Sequence, residues 1–192
     1  MFSVSLPILN YLYIMLNINI VTRIAADKNF FLDYIVAVNE LKKRYQEHCS
    51  LRFIGAIESY PIYENILRLS KIFGIEDQIH FTKKSIPYQD MEPSVLSGYF
   101  INMCVGSFKG YASLEASQRG LKALYYNVDS SLVDKWDYPF PHIASLEHLI
   151  STLHDIINQP DYYNDAIQKY NLNHPNQFLL STEEKTLLKS LF

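Results

Sequence analysis

Two short stretches carry residues whose types and spacing suit chemistry. The first is V-T-R-I-A-A-D-K-N, residues 21–29, where Arg23 and Lys28 follow an alternating, β-branched run at 17–21. The second is V-G-S-F-K-G-Y-A-S-L-E-A-S-Q-R-G, residues 105–120. It follows an apolar run at 99–105, opens with Gly106, Ser107 and Gly110, and becomes a helical pattern closed by Gly120. A glycine-bearing turn between a strand and a helix gathers free backbone N–H groups at the positive end of the helix dipole. That is an anion site in form. In a parallel sheet both stretches lie on the carboxyl edge, and two cations converging with a helix N-terminus suit a diphosphate.

The rest of the chain supplies elements to position them. Phe31, Tyr34, Ile35, Val38, Leu41 and Tyr45 recur at helical spacing and predict a helix over 29–47, with Asp27 as its N-cap. Strands are expected at 51–56 and 78–82. Between them lies a helix that starts near Pro61 and ends at Gly74. Residues 85–97 read as irregular or as a short helix interrupted by Pro87 and Pro93. A fifth strand is expected at 121–126, a loop at 129–141 and a short sixth strand at 142–144. Helices follow at 145–158, 161–170 and 182–191. This alternation predicts an α/β fold, a Rossmann-like doubly wound parallel sheet with C-terminal helices. Ligands in such sheets bind beyond the carboxyl ends of the strands, where the strand order reverses.

The 192 residues suit one domain with a real core, at 48% hydrophobic and 19% charged. Residues 1–17 are apolar and read as an edge extension or a connection to a missing domain, with 18–192 as the single domain. The apolar run is short for a membrane span and lacks the basic start of a signal peptide. A net charge of −3 argues against a nucleic-acid polymer as partner. The six His show no metal-ligand spacing, so no metal site is expected, and Cys49 and Cys104 read as free core thiols. There is no G-x-G-x-x-G after the first strand, no G-x-x-x-x-G-K-[ST] and no G-x-S-x-G.

Four motifs, in order and at matching spacing, resemble family-4 (group 1) glycosyltransferases of the GT-B fold. Residues 21–29 resemble V-G-R-L-x-x-x-K-G. R-F-I-G-A resembles that family's strand with a glycine after it. F-G-I-E-D-Q-I-H-F resembles L-G-L-x-D-x-V-x-F, and L-E-A-S-Q-R-G resembles L-E-A-M-A-x-G. The similarity covers about residues 18–158, the C-terminal, nucleotide-sugar-binding half of such an enzyme.

The resemblance implies a donor-binding domain for a nucleoside diphosphate sugar, with no other cofactor. Arg23 and Lys28 would grip the diphosphate, and Gly110, Tyr111, Ala112 and Ser113 would offer it backbone N–H groups. Glu115 would bind the ribose, and Thr82 and Lys83 would lie near the base. Ser107 stands eight positions before Glu115, where the family carries a glutamate, and Lys109 adds a cation beside it. Gly98 replaces the family's usual Asp before the fourth strand. The implied reaction is sugar transfer to a glycan or lipid acceptor, retaining and metal-independent, with the acceptor domain supplied elsewhere. The implied location is cytoplasmic, with peripheral association at the inner face of a membrane left open. The alternative is a non-catalytic regulatory or scaffolding domain of the same fold, which Ser107 favours and Arg23, Lys28 and Glu115 oppose.

Overall fold

The computed structural model describes residues 15–28, 30–103, 111–126, 143–173 and 186. Five strands form one sheet: β1 (Leu16–Val21), β2 (Cys49–Ile54), β3 (Ile79–Phe81), β4 (Tyr99–Met103) and β5 (Lys122–Tyr126). Their order is β3-β2-β1-β4-β5, and every pairing is parallel. The chain builds outward from β1 to β3, then crosses back to lay β4 on the free side of β1. The reversal of strand order therefore falls between β1 and β4.

Period-two alternation along the strands feeds two cores. On one face Ile18, Ile20, Leu51, Phe53 and Ile101 pack with α1 (Phe31–Glu40), α2 (Tyr60–Phe73), α5 (Leu146–Asn158) and α6 (Pro160–Asn173). On the other, Ile54, Phe100 and Ala123 meet Tyr88, Met91, Val95 of α3 (Pro93–Leu96) and Ala116 of α4 (Tyr111–Gln118). Asn19 points to this second face, 1% exposed, and donates from Nδ2 to the Val95 carbonyl at 2.9 Å.

Helix ends follow local chemistry. Gly74 and Gly120 sit at φ 61° and 72°, and the residue after each donates back five positions, Ile75 to Ser70 and Leu121 to Ala116. Each is the left-handed glycine stop of a Schellman turn. Ser145 caps α5, its side chain accepting from the His148 N–H.

Several expectations need correction. Asp27 does not cap α1: the N-cap is Phe30, in the left-handed region at φ 66°, and no side chain accepts there. The expected helix over 29–47 is α1 followed by a π-helical turn, Leu41–Tyr45, that ends at Gln46 with φ 58°. Of the expected sixth strand, residues 143 and 144 are described, and there Ile143 makes an isolated parallel bridge with Tyr126. β2 and β3 are displaced or shortened relative to the expected strands. The expected loop at 129–141 and the expected helix at 182–191, apart from Thr186, lie outside the described residues.

Candidate functional site

The loop leaving β1 is fused to the loop leaving β2. Parallel pairing runs past the strand ends: Thr22 N–H donates to the Ile54 carbonyl at 3.0 Å and Ile24 N–H to the Ala56 carbonyl at 2.9 Å. The Glu58 and Ser59 N–H groups then both donate to the Ile24 carbonyl. Gly55 makes this approach feasible, because a Cβ there would lie 2.0 Å from the Thr22 carbonyl oxygen.

The fused loops carry Arg23 and Glu58 side by side. Arg23 Nη1 meets Glu58 Oε2 at 2.6 Å, and Nη2 meets Asp27 Oδ2 at 3.2 Å. All three side chains are about half exposed. Sequence reasoning missed Glu58 and gave Asp27 another role. The available signal was parallel register, which sets residues just past two neighbouring strands next to each other.

Lys28 follows a turn in which its N–H donates to the Ala25 carbonyl at 3.1 Å. Its ammonium makes no hydrogen bond or ion pair among the described residues. It borders a depression of about 290 Å³ with Phe30, Asp33, Ile62 and Asn65. The loop is anchored from β5: the Tyr126 hydroxyl donates to Asp33 Oδ2 at 2.6 Å, and the Tyr126 ring meets Phe30 edge-on at 5.9 Å. Burial, and then the Asp33 carboxylate, raise the Tyr126 phenol well above its ordinary value.

Next to β1, across the reversal, α4 follows β4, so its N-terminus lies on the same carboxyl edge. Ala116, Ser113 and Ser117 are buried, and these small side chains let the helix lie close on the sheet. The Tyr88 hydroxyl donates to the Ala112 carbonyl at 2.7 Å, and burial first, then Glu115, raises that phenol strongly. Between β1, β4 and α4 lies a small cavity of about 10 Å³ bordered by Asn19, Tyr88, Asn102, Ala112 and Ser113. Glu115 is exposed and ion-paired with Arg119 at 3.0 Å. The Arg119 guanidinium lies over the Tyr88 ring and also donates to Gln89.

Thr82 and Lys83 lie on the same edge but beyond β3, two strands from β1. Thr82 Oγ1 accepts from Gly55 N–H at 3.1 Å and donates to the Lys84 carbonyl at 2.6 Å, so its hydroxyl is committed to holding two loops together. Lys83 adopts φ 57° and reaches over the Tyr63 ring. For Tyr111 only the backbone is described, and Ser107, Lys109 and Gly110 lie outside the described residues. Among the described residues no group of three or more His, Cys, Asp or Glu is arranged to hold a metal ion. No described helix is long and apolar enough to cross a membrane.

No family model matches the chain, and no curated protein matches it significantly. Solved structures do. The C-terminal domain of a group 1 glycosyltransferase, LpcC from Francisella tularensis, superposes with a TM-score of 0.61 at 18% identity. That match covers 86% of this chain and 87% of that one. HepE from Anabaena, solved in complex with UDP and glucose, gives a TM-score of 0.70 at 10% identity, covering 92% of this chain and 48% of its own. The fold is that of the C-terminal half of a GT-B glycosyltransferase. A glycosyltransferase from Rickettsia africae gives a TM-score of 0.62 at 12% identity, with 82% of this chain and 41% of that one covered. The chain thus spans about half the length, or less, of these two longer proteins.

Proposed function

We propose that this chain is the donor-binding half of a glycosyltransferase, holding a nucleoside diphosphate sugar in the crevice between β1 and β4. One observation carries the reading. The strand order reverses between β1 and β4, so the loop bearing Arg23 and Lys28 neighbours the N-terminus of α4 on one edge. The diphosphate bridges these two jaws. It takes charge-assisted bonds from Arg23 and Lys28 and backbone N–H bonds from Gly110, Tyr111, Ala112 and Ser113. Glu115 accepts from the ribose hydroxyls by leaving Arg119, an exposed i,i+4 partner worth little. UDP bound to HepE supports a nucleoside diphosphate as the ligand class.

In the complete enzyme the sugar passes to a glycan or lipid acceptor with retention and without a metal. The same cations and helix dipole stabilise charge on the departing diphosphate. The half described here is one wall of that cleft. Transfer requires an acceptor domain or partner chain to supply the other, with the full assembly cytoplasmic or peripheral at the inner face of a membrane.

Calorimetry with UDP, ADP and GDP on the full 192-residue chain tests the reading. A hydrogen bond to a charged group contributes about 1.5–3 kcal/mol, so Arg23→Ala or Lys28→Ala is expected to weaken binding by about ten- to a hundredfold. A folded chain that binds none of the three, or variants that bind as the parent does, would sink the donor-site reading. The scaffolding alternative, favoured by Ser107 and by the carboxylates already holding Arg23, would then stand.

A further inference from the structure

The two carboxylates on Arg23 have no role in the reading above, on which the following rests. We infer that Glu58 and Asp27 are competing anions on Arg23 that an incoming diphosphate must displace. Glu58 is held there by the backbone. Its N–H donates to the Ile24 carbonyl at 2.9 Å, and Ile24 and Ile57 form a parallel bridge between the fused loops. Its carboxylate meets Arg23 through one oxygen at 2.6 Å, while Asp27, four residues on in the same loop, takes the second guanidinium nitrogen. Arg23 is thus bonded to two carboxylates at once, whereas Lys28 makes no ion pair among the described residues.

The consequence is a selectivity device. With all three side chains about half exposed, each pair is weak and opens readily. A diphosphate, which brings more charge and a fork-matching geometry, outbids two single contacts. A ligand with one weakly charged group, or none, leaves Arg23 where it is. Glu58 and Asp27 therefore lower affinity for every phosphate ligand at Arg23 while leaving binding of the bare nucleoside untouched.

Neutral isosteres test this. UDP, inorganic pyrophosphate and uridine are titrated into the parent chain, Glu58→Gln, Asp27→Asn/Glu58→Gln, Arg23→Ala, and Arg23→Ala/Glu58→Gln. Glu58→Gln is expected to bind UDP and pyrophosphate about two- to fivefold more tightly, from release of one exposed pair. The double carboxylate variant should gain more. Uridine binding should not change, and the Glu58→Gln gain should vanish in the Arg23→Ala background. If Glu58→Gln binds UDP equally or more weakly while Arg23→Ala still loses affinity, the competition is overturned and the donor site survives. Weakening by Glu58→Gln that appears only with magnesium would overturn it in favour of a metal bridge. Absence of binding by every folded variant would overturn both the competition and the donor site. Matching thermal midpoints for Glu58→Gln and the parent separate these outcomes from loss of structure.

Discussion

A Cβ at Gly55 would lie 2.0 Å from the Thr22 carbonyl oxygen and 2.6 Å from its carbon, both rigid backbone atoms. The contact comes at the point where the β1 and β2 exit loops fuse, so no rotamer change can relieve it. Gly55→Ala is expected to cost about 3 kcal/mol by overpacking and to displace Arg23. Gly74→Ala is the control. A Cβ there meets nothing within 4 Å, and only the left-handed φ of 61° penalises it, at about 1 kcal/mol. Urea denaturation of the two variants checks the order, and equal losses would contradict it. The same argument explains Gly98. Its Cβ would meet Asn19 Nδ2 at 2.7 Å and the Asn17 carbonyl oxygen at 2.8 Å, so the buried Asn19 takes the space that a side chain before β4 would need.

The elements bearing the site are tied by long-range contacts, and Tyr126 makes one that spans 93 positions. It joins the end of β5 to the first turn of α1 through Asp33 and packs against Phe30, whose left-handed backbone is a strained conformation for an aromatic residue. Tyr126→Phe removes the hydroxyl and keeps the ring, and is expected to cost about 1 kcal/mol. Phe30→Gly, measured beside it, relieves the backbone strain but loses the ring contact. Nucleoside diphosphate affinity should fall modestly in Tyr126→Phe if the Asp33 tie is what steadies the Lys28 loop. Chemical denaturation and calorimetry of the same preparations read both effects. These contacts also mark what was legible in the sequence. F-G-I-E-D is a Schellman stop at Gly74 followed by a buried Ile75, L-E-A-S-Q-R-G is a packed helix with its stop at Gly120, and the glycine of R-F-I-G-A is a steric requirement. Such motifs write backbone geometry into local sequence, so the alternation of strands and helices along the chain could be read from them, whereas the order of the strands within the sheet could not. The Arg23–Glu58 pair, the Tyr88 tie to Ala112 and the Thr82 bridge join residues 24 to 35 positions apart. Periodicity carries no record of those contacts, and the left-handed Phe30 broke the capping expectation at Asp27.

At the scale of the whole molecule, several acidic groups are held protonated by the core, and this sets how the fold responds to alkali. Cys49 opens β2 at 0% exposure, and burial, reinforced by the Glu47 carboxylate, pushes its thiol from 9.0 up to about 12. Burial likewise pushes the Tyr99 phenol to about 12, and Tyr88 and Tyr126 are raised too. A group with a raised folded-state value contributes its full stability below the unfolded value. That contribution is lost as pH rises from there towards the folded value. For Cys49 the window opens near pH 9 and closes near pH 12, and each pH unit inside it costs about 1.4 kcal/mol. Tyr99 adds to the slope from about pH 10 upward. Urea midpoints are therefore expected to be flat with respect to these groups up to about pH 8.5 and to fall steeply above it. Cys49→Ala, made in a Cys104→Ser background, should start about 1 kcal/mol less stable from lost packing. It should then fall less steeply between pH 9 and 11 than its Cys104→Ser parent. Parallel curves for the two chains would show that the thiol is not held protonated by the fold. Slow reaction of Cys49 with a thiol reagent at pH 8, accelerating only with global unfolding in urea, is the independent sign of the same burial.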